Sequence, residues 1–175
     1  MSMHDRILEA AEARLRSDGY GAVSFRDLAK DVGVKSASVH YHFPRKEDLG
    51  VAVVAAYTEK VFEALGMAMH ATTPQDRLAG YIGVFRHALV QENAICLCAM
   101  LGAEARGLPA PVAEAVRVFF QANIDWLDEA LADAITKPGS AEIVAALEGA
   151  MLLANAMDSI VMFEDVAAGL LGRVN

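Results

Sequence analysis

The stretch from Ser24 to Lys46 concentrates side chains able to meet a polyanion. It offers Arg26, Lys30, Lys35, Arg45 and Lys46 as cations, Ser24, Ser36 and Ser38 as hydroxyl donors, two imidazoles, and the amphipathic ring of Tyr41. Between Asp31 and Glu47 there is no carboxylate. Lysine and arginine neutralise phosphate and release its counterions, while hydroxyls and the arginine fork donate to phosphate oxygens and base edges. The whole chain is acidic, net −8 over 175 residues, which at first argues against such a partner. The distribution reverses that impression: residues 1–50 hold 8 basic and 8 acidic side chains, residues 51–175 hold 7 and 15. All of the excess acid lies in the second part, so the two parts serve different electrostatic purposes.

Positioning such residues requires helices, and the periodicity supplies them. Ile7, Leu8, Ala11 and Leu15 form one stripe, predicting a helix over about 3–18 that glycine stops at Gly19. Ser24 can cap a second helix with Asp27 at the capping-box offset, and Phe25, Leu28, Ala29 and Val32 repeat at helical spacing up to Gly33. A third, from about Ser36 to Phe43, turns Val39 and Phe43 inward before Pro44 breaks it. Two short helices joined by Gly33-Val34-Lys35 fit a helix-turn-helix, in which Ala29 permits close approach and Gly33 supplies a positive φ. The outward face of the third helix is then Lys35, Ser36, Ser38, His40 and Tyr41, short hydrogen-bonders and a ring that can enter a major groove.

Helical periodicity continues over about 46–70, 75–93, 95–106, 110–136, 140–157 and 159–171, with Thr73-Pro74, Gly107-Leu108-Pro109 and Pro138-Gly139 among the breakers. The expected fold is all-α with about nine helices and no strand. Apolar residues make up 55% and charged residues 22%, with a mean hydropathy of +0.31, more apolar surface than a monomer of this size needs. The uncharged run Asn93–Ala103 falls far short of the ~20 apolar residues of a membrane span. The start, Met1 to Arg6, leads into charged amphipathic sequence without an apolar signal core, so a cytoplasmic protein without membrane association is expected. Nucleophile elbows, Walker loops, dinucleotide-binding glycines and paired zinc-binding histidines are missing, which argues against an enzyme and leaves no cofactor or metal implied.

Asp27-Leu28-Ala29, Gly33-Val34, Ser38-Val39-His40-Tyr41-His42-Phe43, Lys46 and Leu49 resemble, without a gap, the DNA-binding signature of the TetR family of transcriptional regulators. His40 stands where the family usually has tyrosine, and Ala37 where glycine or another small residue is common. The resemblance implies a DNA-binding domain over 1–46 and a ligand-binding and dimerisation domain over 47–175, working as a ligand-released repressor on a palindromic operator. It also implies that Ser24 contacts the DNA backbone and Arg26 a base edge. Ser36 and Ala37 would face base edges, Ser38, His40 and Tyr41 phosphate or thymine methyl groups, and Lys46 phosphate, with Lys35 as a further contact. The alternative is a helical dimeric ligand-binding or protein-interaction module without DNA, against which Arg26 and the acid-free segment speak.

The apolar residues of 140–171, with small Ala146, Gly149 and Ala150 among them, predict a four-helix homodimer interface. For a small-molecule effector, apolar or aromatic, the candidate lining is Tyr81, Phe85, Met100, Phe119, Phe120 and Trp126, with Gly80 and Gly83 leaving space and His87 as a candidate hydrogen-bond partner. Ordinary core packing is the plain alternative for each. Cys96 and Cys98 diverge on a helix and cannot chelate one metal; Cys96, at a helix start, is the better candidate for a sensing or lining thiol, with burial the default.

Overall fold

The computed structural model describes residues 1–175, and they form nine α-helices and no strand. In chain order these are α1 (Met3–Ala22), α2 (Phe25–Asp31), α3 (Ser36–His42), α4 (Lys46–Met69) and α5 (Pro74–Val90). They continue with α6 (Leu97–Ala103), a 3-10 turn at Ala105–Gly107, α7 (Ala110–Ala130), α8 (Ser140–Ala156) and α9 (Val161–Leu171). The chain packs as two compact units, one of Met1–Glu59 with Leu97–Phe119, the other of Lys60–Cys96 with Phe120–Asn175. No helix is long and apolar enough to cross a membrane.

In the first unit α1 opens with a capping box. The Ser2 hydroxyl accepts from the Asp5 amide at 3.2 Å, and the Asp5 carboxylate accepts from the Ser2 amide at 2.8 Å. Ile7, Ala11 and Leu15 are buried on its inner face, as their spacing predicts. Gly19 does interrupt the helix, at φ 77° and ψ 177°, but the chain resumes helical turns to Ala22 instead of stopping. The reason is tertiary: the amide of Tyr20, orphaned by the break, donates to Glu104 Oε2 at 3.0 Å. That carboxylate follows α6, which packs against α1.

In the second unit α8 packs along α9, and both pack on α5. Ile143, Val144, Leu147, Ala150, Met151 and Ala154 of α8 are buried, as are Phe163, Ala167 and Leu170 of α9. The Thr73 hydroxyl caps α5 by accepting from the Asp76 amide at 3.1 Å, with Pro74 in the first turn. Contrary to the expectation from sequence, Gly80 does not leave space for a ligand. A Cβ there would lie 2.5 Å from the Cβ of Ala68, so its function is close approach between α5 and the end of α4.

Several boundaries move inward from the sequence reading for identifiable reasons. The helix expected over 110–136 ends at Ala130 because the chain beyond it pairs with the C-terminus: Ile135 and Thr136 donate to the Asn175 carbonyl, and Asn175 donates back to Thr136. Asn93 and Asp158 take positive φ, 49° and 48°, which closes α5 at Val90 and delays α9 to Val161.

Candidate functional site

The N-terminal cap of α2 fixes the geometry of the candidate interface. Ser24 Oγ accepts from the Asp27 amide at 3.2 Å and donates to Asp27 Oδ2 at 2.6 Å. The Lys30 ammonium, 2.7 Å from Asp27 Oδ1, and then the Ser24 hydroxyl hold this carboxyl down to about 2. At the other end Gly33, at φ 71°, closes the helix with a paired motif: Val34 donates to Ala29 at 2.8 Å and Gly33 to Lys30 at 3.2 Å. The turn is thereby set by hydrogen bonds and a left-handed glycine, as the sequence predicts. Arg6 donates to the Val32 carbonyl at 2.7 Å and Arg14 pairs with Asp31, so α1 braces the end of α2 from outside.

Leu28 and Val39 are fully buried and Phe43 nearly so, which orients α3. Its solvent side presents Lys35, Ala37, His40 and Tyr41 as exposed residues, with Ser36 and Ser38 half-buried beside them. Tyr41, a large ring, is 84% exposed. The His40 ring meets Phe25 edge-on at 4.7 Å, which leaves Phe25 half-buried, short of the core position expected for it. Arg26 and Lys35 are exposed and carry no ion pair. Arg45 instead is held by Glu47 at 2.5 Å and Asp48 at 2.6 Å. Lys46 turns toward its own unit: its Nζ lies 3.4 Å from the Gly21 carbonyl and 4.4 Å over the Tyr20 ring, where burial lowers its pKa against the opposing pull of Glu104.

The structure divides the candidate effector residues. In the second unit Tyr81, Phe85, Trp126 and Cys96 are all buried; the Tyr81 ring stacks on Trp126 at 5.4 Å and meets Phe85 at 5.1 Å. The Tyr81 hydroxyl donates to Asn123 Oδ1 at 2.8 Å. Phe120 is half-buried and His87 exposed. Met100 and Phe119 belong to the first unit, where the Phe119 ring lies 5.7 Å from Tyr57. Both cysteines are buried, so the exposed Cys96 that chemical sensing requires is not found.

Glu148 is not among the residues that the sequence analysis singles out. It is 8% exposed on the inward face of α8, and burial pushes its carboxyl up to about 7, only partly opposed by the Cys96 thiol. The signal was present: Glu148 lies four residues after Val144 and three before Met151, inside the apolar stripe.

A helix-turn-helix with an acid-free outer face, in an otherwise all-helical chain, defines the class of helical regulators built around such a motif. Residues 7–53 match the family model described as bacterial regulatory proteins, tetR family. The HTH-type transcriptional repressor KstR2 of Mycolicibacterium smegmatis is 29% identical over 94 residues, 53% of this chain and 46% of that one, so the match spans about half the relative's length. A TetR transcriptional regulator from Legionella pneumophila superposes with a TM-score of 0.93 at 29% identity, covering 100% of this chain and 98% of the other. A TetR-family regulator from Agrobacterium tumefaciens gives 0.91 at 29% identity, with 98% and 97% covered. Residues 7–53 therefore match the DNA-binding part of the tetR family, the chain as a whole shares the fold of solved TetR-family regulators, and the matched proteins are transcriptional regulators.

Proposed function

We propose that the chain is a sequence-specific transcriptional regulator, a repressor that binds a palindromic operator as a homodimer and is released by a small molecule. The outer face of α3 carries the reading: Tyr41 stands 84% exposed among hydroxyls and imidazole, with Arg26 and Lys35 unpaired and no acid between Asp31 and Glu47. In this reading Arg26 and the tip residues Ser36 and Ala37 address base edges. Lys35, Ser38, His40, Tyr41 and Lys46 hold phosphate or thymine methyl groups, and Ser24 fixes the entry of α2 beside the backbone.

DNA reading is assigned to residues 1–46, and sensing and dimerisation to 47–175. Apolar side chains left exposed on α8 and at the start of α9 support a homodimer through residues 140–171. Two recognition helices then fit successive major grooves when they stand about one helical turn apart, ~34–36 Å. An effector binding in the second unit favours another spacing, with α4, which begins at Lys46 and runs to Met69, as the lever. Linkage makes effector and operator weaken each other equally, typically ~5–150-fold. Repression is favoured because the curated relative is a repressor by name.

The test is selection from a pool of random DNA duplexes on the purified protein, followed by sequencing. A two-fold symmetric motif is expected. Recovery without an enriched sequence, at salt low enough to retain DNA, overturns the proposal.

A further inference from the structure

The second unit buries a carboxylate for which it provides no counter-charge. Glu148 is 8% exposed, and neither of its oxygens meets a hydrogen-bond donor in good geometry. The cations of the unit that form ion pairs are committed elsewhere: Lys60 to Glu92, Arg77 to Asp133, Arg86 to Glu164 and Arg173 to Glu142. The Tyr81 hydroxyl gives its proton to Asn123, and the neighbouring Cys96 thiol is a weak donor. Burying an ionisable group without a partner is unfavourable, and unit 2 does so within electrostatic reach of Tyr81. Tyr81 lies close enough to feel the charges of Glu148 and Cys96, and its ring stacks on Trp126 and touches Phe85. A carboxylate near an aromatic ring attracts a cation through its own charge and through the ring quadrupole.

We propose that Glu148 is the anchoring counter-ion of an effector site, and that the effector is an organic cation. Its protonated amine pairs with Glu148 and its apolar or aromatic body lies against Tyr81, Phe85 and Trp126. This rests on the reading of the chain as a ligand-responsive regulator and adds the charge and the anchoring residue to it. A neutral effector that merely accepts a proton from Glu148 is the competing occupant.

Trp126 is the only tryptophan in the chain, so its emission reports binding directly. Phenethylamine and phenylbutylamine are titrated against the alcohols of the same shape, which lack the charge. At least one amine is expected to bind the parent protein about tenfold or more tighter than its alcohol, and Glu148→Gln, nearly isosteric, is expected to abolish that preference. Equal binding of amine and alcohol by the parent, absence of binding by all four compounds, or a preference that survives in Glu148→Gln each overturns the proposal. Should the variant not fold, the ratio measured on the parent decides alone. Operator binding by the ligand-free parent is measured in parallel on the selected DNA. Its absence overturns the regulator reading and leaves the amine ratio to judge the site.

Discussion

Ser24 uses its hydroxyl twice within its own helix end, accepting from one group of Asp27 and donating to another. Of the two residues implicated at the start of α2, Arg26 therefore has the uncommitted side chain. Arg26→Ala is expected to relax preference at one base position, at about 1–3 kcal/mol, when mismatched operators are compared by fluorescence anisotropy. Lys46→Ala is a different test, because its ammonium rests near the Gly21 carbonyl and the Tyr20 ring and must turn outward to reach phosphate. If it does, the variant loses affinity for specific and nonspecific DNA alike and the salt slope falls by about one; an unchanged slope leaves the phosphate contact to Lys35. Glu148 gives a prediction of stability. Its carboxyl titrates near 4.5 when unfolded and at about 7 when folded, so the native state holds the proton longer. Stability from this group is complete below the unfolded value and is lost as pH rises through the folded one, about 3 kcal/mol in all. Urea unfolding at about pH 5 and about pH 8 should show the parent losing most of that, about 2–2.5 kcal/mol, beyond what Glu148→Gln loses across the interval. Parallel losses in the two proteins would mean that Glu148 is solvated in the native state.

At the scale of elements, two glycines with positive φ behave differently. Gly33 closes α2, and a Cβ there meets nothing within 4 Å, so Gly33→Ala carries conformational strain alone, about 1–2 kcal/mol. Gly19 combines φ 77° with ψ 177°, and a Cβ would fall 2.0 Å from Glu104 Oε1. Relief by moving Glu104 strips the acceptor from the Tyr20 amide, so Gly19→Ala should cost about 3–5 kcal/mol, strain and lost charge-assisted bond together. Thermal melts that rank the two variants equally would show that the Glu104 bond contributes nothing. The contrast also marks what the sequence could reveal. Gly33 was legible because its effect is local: an apolar stripe ends, a left-handed residue follows, and the next apolar residue begins a new helix. The break at Gly19 was half legible, since the glycine announces an interruption but its acceptor lies 84 residues away at Glu104. The same distinction holds for the candidate sites. The outward face of α3 follows from which of its own residues face inward, whereas the Tyr81, Phe85 and Trp126 cluster needs tertiary placement to separate it from Phe119 and Met100. Glu148 was visible as a carboxylate inside an apolar stripe, but periodicity cannot tell whether a partner awaits it.

For the whole molecule the decisive feature is that α8 is apolar on two faces. Val144, Leu147, Met151 and Ala154 fill its inner stripe, while Ala145, Gly149, Leu152, Leu153 and Ala156 recur at helical spacing on the other side. Leu152 is 47% and Leu153 52% exposed, and Met157, Ile160 and Val161 extend the surface into α9. A helix apolar all round is normally covered all round, and a second copy of the same face is self-complementary under two-fold symmetry. Gly149 tests this cleanly, because a Cβ at that position meets nothing within 4 Å inside the subunit. Gly149→Leu should therefore leave the helical circular dichroism signal unchanged while preventing close approach between the paired α8 helices. Sedimentation at about micromolar concentration should show the parent as a dimer of the 18.7 kDa chain and the variant shifted toward monomer. Operator affinity should fall with it, since each monomer reads only one half-site and loses the effective concentration that its tether provides. A monomeric parent overturns the homodimer. A dimeric variant with normal operator affinity would instead move the contact away from Gly149, toward the exposed start of α9 at Val161.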